Sequence, residues 1–187
     1  MNTSETAIRI TEELKETLSA VDNHRAELLV RQIAGSNRIF LAGAGRSLLM
    51  VKCFAMRLIQ FGLTAFVVGE TTTPSITADD LLIVVSGSGE TGTIALMAKK
   101  AKSIGAKLAF ITIVADSTIG RLADLIIPIE AGSTKVAGEQ KKTIQLGGSR
   151  FELSVLLLLE AIVMGLTEEL KLEDPNVILM KNHANLE

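Results

Sequence analysis

Apolar residues along this chain switch between two spacings. Over residues 3–34, Ile10, Leu14, Leu18 and Val21 recur at three- and four-residue steps, and Leu28, Leu29 and Ile33 resume after the polar Asp22-Asn23-His24. That stripe predicts a helix, which Gly35-Ser36 stops. Short continuous apolar runs follow at residues 38–42, 64–68, 81–85, 107–112 and 124–128. Runs of that kind read as strands covered on both faces. Helical stretches at 48–61 and 91–103 separate them, closed by Gly62 and Gly105, with a short helix near 117–122. Beyond Pro128 the periodicity fades into a polar segment carrying Gly132, Lys135, Gly138, Lys141, Lys142, Gly147 and Gly148, before a strongly apolar helix over 150–170.

Strands alternating with helices at this spacing predict an α/β protein with a parallel sheet between two helical layers. The expected architecture is a single-domain three-layer αβα sandwich, its five-stranded sheet in the flavodoxin-like order 2-1-3-4-5. One domain then spans residues 1–187: an N-terminal helical region at 1–34, the αβα core at 35–170 and a C-terminal tail at 171–187.

Composition removes several functions. The chain of 187 residues is 48% hydrophobic and 21% charged with a net charge of −2, so it folds and has no basic surplus for a polyanion. Trp and Tyr are absent, which leaves no stacking rings for a single strand of nucleic acid. A single cysteine, Cys53, excludes an internal disulfide, and in its apolar neighbourhood it reads as a buried small residue. The two histidines, His24 and His183, offer little for a zinc site. The start of the chain is polar, unlike a signal peptide, and the apolar run 153–166 is broken by Ser154 and Glu160. A cytoplasmic protein without metal, organic cofactor, nucleic-acid partner or membrane partner is expected.

Two loops carry candidate chemistry. The first strand runs into Gly43-Ala44-Gly45-Arg46-Ser47, and the third into Ser86-Gly87-Ser88-Gly89-Glu90-Thr91. A strand, a small-residue loop and a helix start present backbone N–H groups and hydroxyls to an anion. The first loop matches a dinucleotide fingerprint only in part, because Leu48 stands where the third glycine belongs; Glu70 is the one candidate for the acidic residue on the second strand. No G-x-x-x-x-G-K-[ST] or G-x-S-x-G run occurs. Singly, each hydroxyl reads first as a helix cap. In the order 2-1-3-4-5, however, strands one and three are neighbours whose connections leave on opposite faces, so both loops flank one crevice. Ser47, Ser86, Ser88 and Thr91 are the expected phosphate ligands, with Gly45, Arg46 and Gly87 as further contacts.

This pairing of Gly-x-Gly-x-Ser with Ser-x-Ser-Gly-x-Thr resembles the sugar isomerase (SIS) domain over roughly residues 30–170. The small size, Gly147-Gly148-Ser149-Arg150-Phe151-Glu152 before the last long helix and the end His183-Ala184-Asn185-Leu186-Glu187 resemble, within it, the 6-phospho-3-hexuloisomerase family. The resemblance implies a SIS fold and interconversion of D-arabino-hex-3-ulose 6-phosphate and fructose 6-phosphate through a 2,3-enediol, in formaldehyde fixation or detoxification. It implies a homotetramer binding a sugar phosphate, with Glu152 as carbon base and His183 assisting proton transfer between oxygens, in its own or a neighbouring subunit. By position alone, Glu152 reads equally as a helix-dipole carboxylate, and His183 reads first as a solvated terminal side chain. Another sugar-phosphate isomerase and a non-catalytic sugar-phosphate-binding SIS protein are the alternatives.

Overall fold

The computed structural model describes residues 2–132 and 143–186. Five strands, β1 (Ile39–Gly43), β2 (Ala65–Val67), β3 (Leu81–Val85), β4 (Lys107–Thr112) and β5 (Leu125–Pro128), form one sheet in the order β2-β1-β3-β4-β5. All its pairings are parallel, as the alternation of apolar runs and helices predicts. The helices are α1 (Thr3–Ser19), α2 (Asn23–Ala34), α3 (Arg46–Gln60), α4 (Gly92–Ile104), α5 (Ser149–Glu169) and α6 (Pro175–Lys181).

Strand residues alternate between two cores, the signature of a sheet covered on both faces. Ile39, Leu41, Ile83, Val85 and Ile111 join one cluster with residues of α2, α3 and α5, among them Leu29, Phe54 and Leu159. Phe40, Ala42, Leu82, Val84 and Phe110 join the other, against Ile94, Ala95, Ala98 and Ala101 of α4. The chain therefore leaves β1 toward one face and β3 toward the other, which is the switch point the strand order requires.

Several expectations are corrected. The stripe over 3–34 is two helices: Asp22 caps α2 by accepting from the His24 N–H at 2.9 Å, so the polar patch is a turn. The short helix near 117–122 is a single 3-10 turn, Gly120–Leu122. The tail forms α6, capped by Asp174 and packed through Ile178. Cys53 is exposed, because Val51, Phe54, Ala55 and Leu58 take the inward positions of α3 and residue 53 falls on the outer side. Glu70 is surface-exposed and pairs with Lys52 at 3.1 Å.

One buried charge pair fixes the amino ends of the central strands. Asp80, 1% exposed, accepts from Arg38 Nε at 3.0 Å and Nη2 at 2.7 Å, and from the Thr77 N–H and hydroxyl at 2.6 and 2.9 Å. Burial pushes the Asp80 carboxyl up, but the bonds from Arg38 and Thr77 outweigh it and hold the group below the usual carboxylate range. Its folded-state value lies below its unfolded one, so its stabilisation is complete above about pH 4 and is lost as pH falls further. Asp80→Asn is expected to cost about 3 kcal/mol at neutral pH, by leaving Arg38 without its counter-charge. Urea titrations across the acid range should show the wild-type stability converging on that of the variant as pH falls.

Candidate functional site

Gly43 of β1 pairs with Val85 of β3, so the two following loops start level. Between them lies a cavity of about 490 Å3 whose walls include Gly45, Arg46, Ser47, Ser86, Gly87, Ser88, Thr91 and Glu152. Eight of the nine sequence-predicted site residues are thus brought together, the exception being His183. Ala44, Val85, Ile113, Gly148 and Phe151 also line it and were not predicted as site residues from the sequence.

Three helices start at this cavity: α3 after Gly45, α4 after Thr91 and α5 after Gly148. Among the described residues, none of these N-cap residues makes a side-chain cap hydrogen bond. The helices that start elsewhere are capped, α1 by Asn2, α2 by Asp22 and α6 by Asp174. First-turn N–H groups without a side-chain acceptor are donors for a ligand, and each helix end adds partial positive charge. Gly45, at φ 57° and ψ −133°, holds a backbone that side chains other than glycine avoid, so α3 can start abruptly beside β1.

The loop after β3 is braced from β4. The Gly87 carbonyl accepts from the Ile113 and Val114 N–H groups at 3.1 and 3.2 Å and from the Thr112 hydroxyl at 3.1 Å. Ser86, buried at 6% exposure, accepts from the Gly89 N–H at 3.3 Å, and Ser88 from the Glu90 N–H at 3.3 Å. Glu90 faces away from the cavity. It takes the Thr118 N–H at 2.7 Å and hydroxyl at 2.6 Å, bonds that hold its carboxyl below the usual range. A loop fixed this way need not reorganise around a ligand, which lowers the entropic cost of binding.

Glu152 lies in the first turn of α5 with its side chain 13% exposed, and its carboxylate accepts from Arg46 Nε across the cavity. The Arg46 side chain is 57% exposed. Among the described residues, the one carboxylate in the wall thus faces a cation from the opposite loop, with the buried ring of Phe151 beside it. Among the described residues, no three His, Cys, Asp or Glu side chains gather as a metal site.

His183 lies elsewhere. It follows α6, is exposed, and has Nδ1 3.2 Å from the Ala184 carbonyl oxygen. Its neighbour Asn182 donates from Nδ2 to the Gln60 carbonyl at 3.0 Å, at the far end of α3 from Arg46. A helix of that length rises ~20 Å, so His183 does not reach the cavity of its own chain. His24 is exposed at the start of α2. The predicted basic loop of Lys135, Lys141 and Lys142 lies outside the described residues.

Fold and cavity define a class: a doubly wound α/β domain offering three helix N-termini and one carboxylate at its switch point. The chain belongs to the SIS domain family, which residues 32–153 match. It is 42% identical over 187 residues, the whole of both chains, to the 3-hexulose-6-phosphate isomerase of Bacillus subtilis. It is 40% identical over 178 residues to that of Mycobacterium gastri, covering 95% of this chain and 88% of the relative. A crystal structure from Methanococcus jannaschii, described as inferring a molecular function of 3-hexulose-6-phosphate isomerase, superposes with a TM-score of 0.81 at 32% identity, covering 98% of this chain and 99% of that one. Among the described residues, no helix is long and apolar enough to cross a membrane.

The geometry of the loop after β3 yields a test. Gly89 has φ 66°, and a Cβ there would lie 2.1 Å from Ser117 Oγ and 2.6 Å from Ser117 Cβ, a residue 1% exposed. Gly89→Ala is expected to cost about 1–3 kcal/mol of stability and to weaken inorganic phosphate binding in a calorimetric titration, with the circular dichroism of the fold retained.

Proposed function

We propose that this protein interconverts D-arabino-hex-3-ulose 6-phosphate and fructose 6-phosphate. The observation that carries the reading is the meeting of three helix N-termini without side-chain caps and one carboxylate in a single cavity. The names of the relatives in Bacillus subtilis and Mycobacterium gastri support the same substrate.

The phosphate sits against Ser47, Ser86, Ser88 and Thr91 and the N–H groups of the helix starts. It gains ~0.3–1 kcal/mol from each helix end, and more where partly buried. With C6 anchored there, C2 and C3 lie toward Glu152. Its carboxylate removes the proton from C2, and the electron pair moves into a C2–C3 double bond as the C3 oxygen takes a proton. The 2,3-enediol then collapses: the C2 hydroxyl loses its proton, the C2 carbonyl forms, and C3 takes the proton held by Glu152. One base serves both carbons because the proton leaves and returns on neighbouring atoms. Atoms and electrons balance without an outside oxidant or reductant. Arg46, beside Glu152, balances the charge of the carboxylate and of the enediolate oxygens.

In this reading the enzyme is a homotetramer that takes its substrate from the condensation of formaldehyde with a pentulose phosphate. His183 then assists oxygen proton transfer in a neighbouring subunit's cavity, since that of its own chain is out of reach.

Glu152→Gln is expected to lower kcat by about a thousandfold while fructose 6-phosphate still binds, because only the proton acceptor is lost. Turnover measured with hexulose phosphate made in situ from formaldehyde and ribulose 5-phosphate checks this; a fully active variant would overturn the assignment. The shared-site reading predicts that co-expressed Glu152→Gln and His183→Ala chains form mixed oligomers more active than either variant alone. Mixed oligomers no more active than the separate variants would overturn the shared site.

A further inference from the structure

The loops after β1, β3 and β4 are each positioned by the strand they follow. The start of α5, which carries Glu152, does not follow directly on a strand: β5 ends at Pro128, and α5 begins only at Ser149. It is also entered through Gly147 at φ 62° and Gly148, a backbone with little stiffness of its own. Yet Glu152 has to be held over two particular carbons.

We propose that α1 is the positioning element for Glu152, acting through Glu13, Glu16, Thr17 and the buried Arg150. This rests on the isomerase reading above. Arg150 is 1% exposed; its Nε donates to Thr17 Oγ1 at 2.7 Å and its Nη2 to Glu16 Oε2 at 2.8 Å. Thr17 in turn donates to the Glu13 carbonyl at 3.0 Å. The Glu13 carboxylate gathers the chain entering α5, taking the Thr143 hydroxyl at 2.7 Å, the Ile144 N–H at 2.9 Å and the Gln145 amide at 2.9 Å. Residues 13, 16 and 17 share one helix face.

Burial pushes the Glu13 carboxyl up. The three hydrogen bonds and the charge of Arg150 outweigh it, so the group lies below its ordinary value and is ionised at neutral pH.

Helix geometry makes this an alignment device. Arg150 and Glu152, two residues apart, project from nearly opposite sides of α5. Arg150 is held by α1, and Glu152 faces the cavity. Between them Phe151 is buried against Gly87, where an added Cβ would lie 3.6 Å from Phe151 Cδ1. Anchors on adjacent sides fix the rotation of the first turn, and with it where the carboxylate points. The SIS match begins at residue 32, so α1 lies outside the matched domain.

The test uses Thr17→Val, which removes the hydroxyl that receives Arg150, and Glu13→Ala, which releases residues 143–145. Neither residue lines the cavity, and the phosphate loops are braced independently. Both variants are expected to lose kcat by about 10–100-fold with KM changed less than about twofold, because misalignment of the base spares ground-state binding. Amide hydrogen exchange should quicken at residues 146–153 and stay unchanged in the loops after β1 and β3. Arg150→Lys, which keeps the charge and one donor, should fall between wild type and Thr17→Val. Unchanged kcat in either folded variant would overturn the proposal, as would a kcat loss matched by a rise in KM or faster exchange throughout the molecule. If the wild type itself does not isomerise hexulose phosphate, the isomerase reading fails separately. Local quickening of exchange at 146–153 then still supports α1 as the anchor of Glu152, and its absence overturns that.

Discussion

Parallel pairing of β1 with β3 puts Gly43 opposite Val85, and from that register the two glycine-rich loops leave the sheet at one height. They diverge because α3 packs on one face and α4 on the other, so the space between them stays open. A shift of the pairing by one residue would exchange the two faces of one strand, taking side chains such as Leu41, Ile83 and Val84 out of the cores they fill and the two loops out of step. The Arg38–Asp80 pair fastens the same two strands at their other ends.

Two opposing electrostatic demands meet in the cavity. Three helix starts favour an anion, while Glu152 repels one. Arg46 stands between them: it begins α3, is half exposed, and hydrogen-bonds the carboxylate from the opposite wall. The pair joins a guanidinium open to solvent to a carboxylate that is largely buried. The braced carbonyl of Gly87 and the buried Ser86 lie on the side of the cavity held by the sheet, and the exposed Arg46 on the other.

The cavity is therefore assembled by two kinds of support. Sheet hydrogen bonds place the loops around Ser47 and Ser86. Side-chain bonds from α1 hold the segment that enters α5. A long helix such as α5 buries Val155, Leu159 and Leu166 along its length, which sets where its axis lies. Burial of that kind is non-directional. Rotation about the axis and the height of the first turn need directional contacts, and Arg150 and Glu13 make them.

Apolar periodicity predicted the strands, the order of elements and the parallel sheet, because spacing is a local signal; the meeting of residues 43–47 with 86–91 followed once the sheet took the order 2-1-3-4-5, one of few topological solutions. The pattern 3–34 misled at one point: a capped turn and a helical polar patch look alike until Asp22 is seen accepting from His24. Cys53 misled for a related reason, since one residue in an amphipathic helix decides between core and solvent. Tertiary structure alone decided that Glu152 faces Arg46, that Phe151 and Ile113 wall the cavity, that Arg150 is buried against α1, and that His183 lies at the far end of α3. Those contacts join residues far apart in sequence, more than a hundred positions for Arg46 with Glu152 and for Glu16 with Arg150. No spacing rule reaches that far; they exist because packing of α1, α3 and α5 brings their ends together.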